Sequence, residues 1–219
     1  MVQVSRPTGR AGVGGSALTR LLARLTDTDV PESKQGFADR LSEWLRWTDA
    51  ISLATALQSS PATAPSGAAA SASDAEEREC ARVRAALASA IAADSALGAD
   101  FAAYRRRYLA RQQAMEAAVE PLRARLRARL AGRSPALARL AAVDAVMEQA
   151  LGAHEHRLLS TVPALLEKHF KRLRQADGGV QPEEWSSVFC KDMQSVLLAE
   201  LDIRFQPVEG LLEALRKRQ

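Results

Sequence analysis

The chain predicts an all-α protein: a long antiparallel helical hairpin of coiled-coil type, with further helices completing an elongated three- or four-helix bundle. Three observations carry that expectation. Alanine, leucine, arginine and glutamate are abundant while aromatic residues make up only 5%, so helix formers are plentiful and sheet formers scarce. Apolar residues recur at steps of three and four from Val83 through Leu87, Leu97, Phe101, Tyr104, Tyr108, Met115, Val119, Leu122 and Leu126 to Leu130. A second stripe from Leu137 to Leu173 follows a turn whose Gly132, Ser134 and Pro135 suit a helix end, an N-cap and a first helical residue.

In chain order, residues 1–15 hold two arginines, a proline and four glycines but no apolar segment. They are expected to form a disordered arm, not a signal peptide. Ser16 can cap a helix with Leu18, Leu21, Leu22 and Leu25 on one face, ending near Thr26. A second helix is expected from about Glu32 to Gln58, where Phe37, Leu41, Trp44, Leu45 and Ile51 keep helical spacing, so that 16–58 form a helix pair. Residues 59–73 are Ser, Ala, Pro, Gly and Thr and read as a disordered linker. Asp74 can cap the first arm of the hairpin, with Glu76, Glu77 and Glu79 near the positive end of its dipole.

The hairpin takes residues 74–177, with its turn near 131–135. Pro121 interrupts the hydrogen-bond ladder, yet the apolar phase continues past it, which predicts a kinked helix and not a chain reversal. Pro163 is expected to bend the returning arm. Residues 182–216 form a C-terminal helical segment through Trp185, Phe189, Val196, Leu197 and Leu201, broken at Pro207. A tight turn sets Leu126 opposite Leu140, Val119 opposite Met147 and Tyr108 opposite Leu158. It also aligns the two charged members of the stripe with opposite charges, Arg111 with Glu155 and Asp94 with Arg172. An arm of this length measures on the order of 75 Å.

The net charge of +4 is unevenly placed: ten acids face four bases between Asp27 and Glu79, and ten arginines face Glu116 and Glu120 between Phe101 and Leu140. Arg105, Arg106, Arg107, Arg123, Arg125, Arg127 and Arg129 are therefore a candidate surface for phosphate or an acidic partner. Arginines at every second position surround a helix, and no aromatic platform follows Tyr108, which argues against base stacking. Trp44 and Trp47, three apart, are expected on one broad helix face and are the candidate protein-interaction residues, Trp44 toward the core stripe and Trp47 at its edge, half exposed as interface anchors are.

No catalytic, cofactor or metal site is expected. His154 and His156 are two apart and point to opposite sides of a helix. Residues 177–181 lack the oxygen ligands of a calcium loop, and Gly12 to Gly15 are not followed by the Gly-Lys-Ser/Thr of a phosphate loop. Cys80 and Cys190 are too few for a disulfide framework and are expected to be reduced, as in a cytosolic protein. The longest nearly apolar run, Ala85 to Ala93, is too short for a membrane span.

The segment from Leu22 to Pro31, followed by Leu41-Ser42-Glu43-Trp44-Leu45-Arg46-Trp47-Thr48-Asp49-Ala50, resembles the N-terminal hallmark of a proteobacterial family of unknown function. The layout of a variable Ala/Ser/Pro linker and an arginine-rich helical half is similar along the full length. The resemblance implies no activity and no catalytic residues. It suggests a gene neighbourhood with coiled-coil and envelope-anchored proteins.

The functional expectation is a non-enzymatic cytoplasmic helical adaptor that binds another protein, a coiled-coil component of an envelope-associated complex being the candidate partner. The alternative is a nucleic-acid-associated protein using the Arg-rich 105–133 region; a second is an all-α enzyme without a local motif. Homodimerisation through uncovered apolar edges stays open, and direct membrane insertion is not expected.

Overall fold

The computed structural model describes residues 16–27, 37–58, 69–176 and 182–217. The expected arm over 1–15, the start of the second helix near Glu32 and the linker over 59–68 lie outside the described residues. Those residues form helices and no strand: α1 (Ala17–Thr26), α2 (Phe37–Trp44), α3 (Trp47–Gln58), α4 (Ala69–Ala92), α5 (Phe101–Ala131), α6 (Pro135–Leu159), α7 (Val162–Ala176) and α8 (Pro182–Arg216). The fold is all-α.

Helix ends follow local chemistry. Ser16 Oγ accepts the Thr19 N–H at 3.2 Å to start α1, and Asp27 ends it in the left-handed region at φ 52°. Ser134 starts α6 by accepting the Leu137 N–H at 3.2 Å, with Pro135 as the first helical residue, and Gly132 caps α5. Gly132 does so in the right-handed region, at φ −79°, so the turn needs no left-handed glycine.

Several boundaries differ from the sequence expectation, each for a local reason. The single helix expected to Gln58 is two, because the Asp49 carboxylate accepts the Arg46 backbone N–H at 3.0 Å and its Nε at 3.2 Å, restarting the chain as α3. These bonds from Arg46 hold the Asp49 carboxyl below its usual range. Helix α4 begins at Ala69, so Asp74 lies within it and is not its cap; the alanines ahead of it are strong helix formers. Most consequential, the long first arm is two helices. Gly98, at φ +78°, turns the chain, and Asp100 caps α5 by accepting the Ala102 N–H at 2.9 Å. The apolar stripe runs through this turn because α4 and α5 both bury it against α8. The hairpin proper is therefore α5 and α6. Pro163 stands in the first turn of α7, and the chain breaks at Ser160–Thr161 instead of bending. Both α5 and α8 run on through their internal prolines, Pro121 and Pro207, so the expected break at Pro207 is absent.

The directions are set by named pairs. Arg125 meets Glu76 and Arg107 meets Asp94, so α4 is antiparallel to α5. Gln112 reaches the Leu159 carbonyl and Arg123 reaches Asp144, so α6 is antiparallel to α5. Tyr104 bonds the Ser186 carbonyl, Tyr108 bonds Glu200 and Arg133 bonds the Leu215 carbonyl, so α8 runs parallel to α5. The result is an up-down bundle of α4, α5, α6–α7 and α8, in which α5 and α8 touch across the middle and α4 and α6–α7 flank them. Helix α1 seats Leu18 and Leu25 against α7 and α8, and α2 and α3 lie on the outside of α6.

The core is densest where α5, α7 and α8 start or meet. Phe170 packs edge-on against Phe189 (5.0 Å between centroids) and Trp185 (4.9 Å), and Tyr104 against Phe189 (4.9 Å). The expected register holds only roughly. Leu140 and Leu158, set opposite Leu126 and Tyr108 from the sequence, are 40% and 58% exposed. The buried face of α6 is instead built on Ala138, Ala141, Ala150 and Leu159. Phe189 has no exposed surface and joins four neighbouring rings. Phe189→Ala is predicted to cost about 3–5 kcal/mol of unfolding free energy, measured by denaturant titration.

Candidate functional site

The seven candidate arginines divide by position. On α5, residues two apart point to opposite sides, while residues four apart share one. Arg125 and Arg129 face α4 and bind the buried Glu76 at 2.7 and 3.3 Å. Arg123 and Arg127 face α6 and bind Asp144 at 2.7 and 3.2 Å, and Glu148 at 3.3 and 2.5 Å. Eighteen residues earlier, five helical turns, the same arrangement recurs: Arg107 and Arg111 bind the buried Asp94 at 3.1 and 2.6 Å. The alternate spacing that distributes these residues around the helix is the signature of two seams between helices.

Asp94 and Arg111, the charged members of the apolar stripe, were expected to pair with Arg172 and Glu155. They pair with each other. Asp94 lies in the α4–α5 turn, outside any helix, which brings it back beside α5. The hydrogen bond to Asp94 raises the Arg111 guanidinium pKa further. Arg172 instead donates to the Leu25 carbonyl at 2.7 Å, tying α7 to the end of α1, and to His169 Nδ1 at 3.1 Å. The buried His169 thus keeps its Nε2 proton for Asp192, 2.7 Å away. Glu155 lies 3.7 Å from Arg204. Of the candidate arginines, Arg105 and Arg106 are exposed and make no ion pair among the described residues.

A further buried carboxylate, Glu200, was not singled out in the sequence. It has no exposed surface and accepts from Tyr108 at 2.7 Å, from Gln112 at 3.0 and 3.1 Å, and from Arg204 at 2.9 and 3.0 Å. Burial, reinforced by the Glu200 charge, pushes the Tyr108 phenol far above its usual range, so it remains a donor. The node joins α5 to α8 without leaving a buried polar atom unsatisfied among the described residues.

Trp44 and Trp47 do not share a helix. Trp44 ends α2 and stacks on His154 of α6, centroids 5.6 Å apart and planes 18° from parallel. Trp47 opens α3 and is 80% exposed. Ile51 and Leu57 are 50% and 56% exposed on the same side of α3, whose other side buries Asp49 and Ala56. Helical geometry places Ala50 and Ala54, also exposed, between them, so this face carries no charge.

A cleft of about 460 Å³ opens between α5, α6 and α8. Its wall includes Glu116, Val119 and Glu120 of α5, Met147, Leu151, Gly152 and Glu155 of α6, and Ile203, Arg204 and Pro207 of α8. Among the described residues no group of three or more histidine, cysteine, aspartate or glutamate side chains could hold a metal ion. Cys80 and Cys190 are both buried and unpaired, and burial pushes both thiols up, so neither is a ready nucleophile. No helix among the described residues is long and apolar enough to cross a membrane.

If the arginines are struts, their removal is read as stability. Arg125→Gln with Arg129→Gln strands the buried Glu76 and is predicted to cost about 1–3 kcal/mol in denaturant unfolding. Arg105→Gln with Arg106→Gln is predicted to stay within about 0.5 kcal/mol of the native chain.

The expected membership of a family of unknown function is met by a comparison with family models. No curated protein and no solved structure matches the chain. The chain belongs to the family described as protein of unknown function DUF3348, whose model matches residues 1–217.

Proposed function

We propose that the protein is a non-enzymatic helical scaffold that binds another protein through the outer face of α3. The observation that carries this reading is Trp47, 80% exposed at the head of an uncharged apolar face with Ile51 and Leu57. Large aromatic side chains in such positions are typical interface anchors. Leaving them in water without a partner gains nothing for the fold. Twelve residues of helix span about 18 Å, the footprint of a single partner helix and well short of a standard interface between two globular surfaces. The partner is accordingly an amphipathic helix presenting an apolar stripe, as a coiled-coil component of an envelope-associated complex would, and the setting is cytoplasmic.

The nucleic-acid reading has less support. Arg107, Arg123, Arg125, Arg127 and Arg129 are each engaged by a carboxylate, which leaves Arg105 and Arg106 as the exposed members of that set that make no ion pair among the described residues. The test compares native chain, Trp47→Arg and Arg105→Gln/Arg106→Gln as baits in nuclease-treated native lysate. Discrete protein partners are predicted to be lost with Trp47→Arg, at unchanged helical circular dichroism, and kept with the arginine variant. Partners indifferent to Trp47, or recovery of nucleic acid that falls with the arginine variant, would count against the scaffold reading. Capture of the chain by itself would turn the α3 face into a dimer contact.

A further inference from the structure

The cleft between α5, α6 and α8 sits at the level of the internal prolines of α5 and α8. Residues that meet between α5 and α8 differ in number by 82 to 92, and Pro121 and Pro207 differ by 86, so both internal prolines stand at one level. Gly152 of α6 faces the same space, with no atom within 4 Å of where a Cβ would lie. Pro207 lacks an N–H, so the carbonyl of Ile203, four residues back and also on the cleft wall, has no helical donor.

The charges around this space are selectively unpaired. The cleft's arginines are committed, Arg123 to Asp144 and Glu148, and Arg204 to Glu200. All three carboxylates of α6 meet an arginine: Asp144, Glu148 and, more loosely at 3.7 Å, Glu155. Glu116 and Glu120 of α5 meet none among the described residues, although they stand four apart on one face, where like charges repel. In a chain so rich in arginine, two adjacent uncompensated carboxylates over an apolar floor of Val119, Met147 and Leu151 form an acceptor site without its cation.

We infer that this cleft is a second docking surface, which receives a lysine or arginine side chain from a basic amphipathic helix of a partner protein. The methylene stem lies on the apolar floor, and the charged head meets Glu116 and Glu120. The inference shares the protein-binding reading above but uses different residues, so either can fail alone.

The probe is a fluorescently labelled leucine–lysine amphipathic helical peptide, titrated into the full chain by anisotropy, with a leucine–glutamate peptide as the opposite-charge control. Saturable binding of the lysine peptide alone is expected. Glu116→Gln with Glu120→Gln, both exposed and unpaired, should weaken it about tenfold. Gly152→Leu, which fills the cleft from a position with open space, should abolish it. Glu167→Gln with Glu213→Gln removes the same charge from surface pairs with Lys171 and Lys217, and should change it less than about twofold, as should Trp47→Arg. The absence of saturable binding, or equal weakening by the two glutamine pairs, overturns the site. Loss in Trp47→Arg alone also overturns it while leaving the α3 face standing.

Discussion

Three pairs of arginines along α5, meeting four acids on its neighbours, hold the rest of the molecule in register. A carboxylate taken from water is costly unless it is paired and hydrogen-bonded, and Glu76 and Asp94 are both buried. Each is met by two arginines four residues apart, from one face of α5, so α4 has one alignment in which both acids are satisfied. A shift of α4 by one turn would take each buried acid away from one of its two arginines. The opposite face of α5 repeats the device on α6 through Arg123 and Arg127. Apolar packing brings these helices together without choosing a register; the arginines choose it.

The topology follows. With α4 down, α5 up and α6–α7 down, α8 must run up, parallel to α5, and fill the remaining side of the core. Parallel neighbours bring equivalent points of two helices level with each other, which is how Tyr108 and Gln112 reach Glu200 and how two prolines come to lie side by side. The buried node below and the cleft above are consequences of one geometry. Below the prolines the space between helices is filled by a satisfied carboxylate; at their level it opens to solvent, and two of the carboxylates lining it, Glu116 and Glu120, make no ion pair among the described residues.

How much of this was legible depended on the reach of each signal. Local chemistry was readable: Ser16 and Ser134 cap helices, Pro135 starts one, and Tyr104, Tyr108, Leu126, Phe189 and Leu197 are buried as their spacing requires. The break at 93–100 was hidden because apolar phase continued across it; a stripe records which side faces the core, and two successive helices can share that side. Asp94 was noticed as an intruder but assigned to the wrong partner, since the assignment assumed one continuous arm. The i, i+4 pairing within the alternating arginines, 123 with 127 and 125 with 129, was present in the sequence and distinguishes two seams from a ring. Glu200 carries only the local signal of Arg204 four residues on, because Tyr108 and Gln112 lie on α5, and the cleft is built from three helices far apart in sequence.

Helix α5 therefore divides the seven candidate arginines into five held by acids on neighbouring elements and two, Arg105 and Arg106, that make no ion pair among the described residues. The most direct test of that division is a double-mutant cycle on unfolding between Glu76→Gln and the combined Arg125→Gln/Arg129→Gln change. A coupling energy of about 1–3 kcal/mol is predicted, with the triple variant little worse than either parent. Strictly additive losses, with no coupling between α4 and α5 at these positions, would contradict the account.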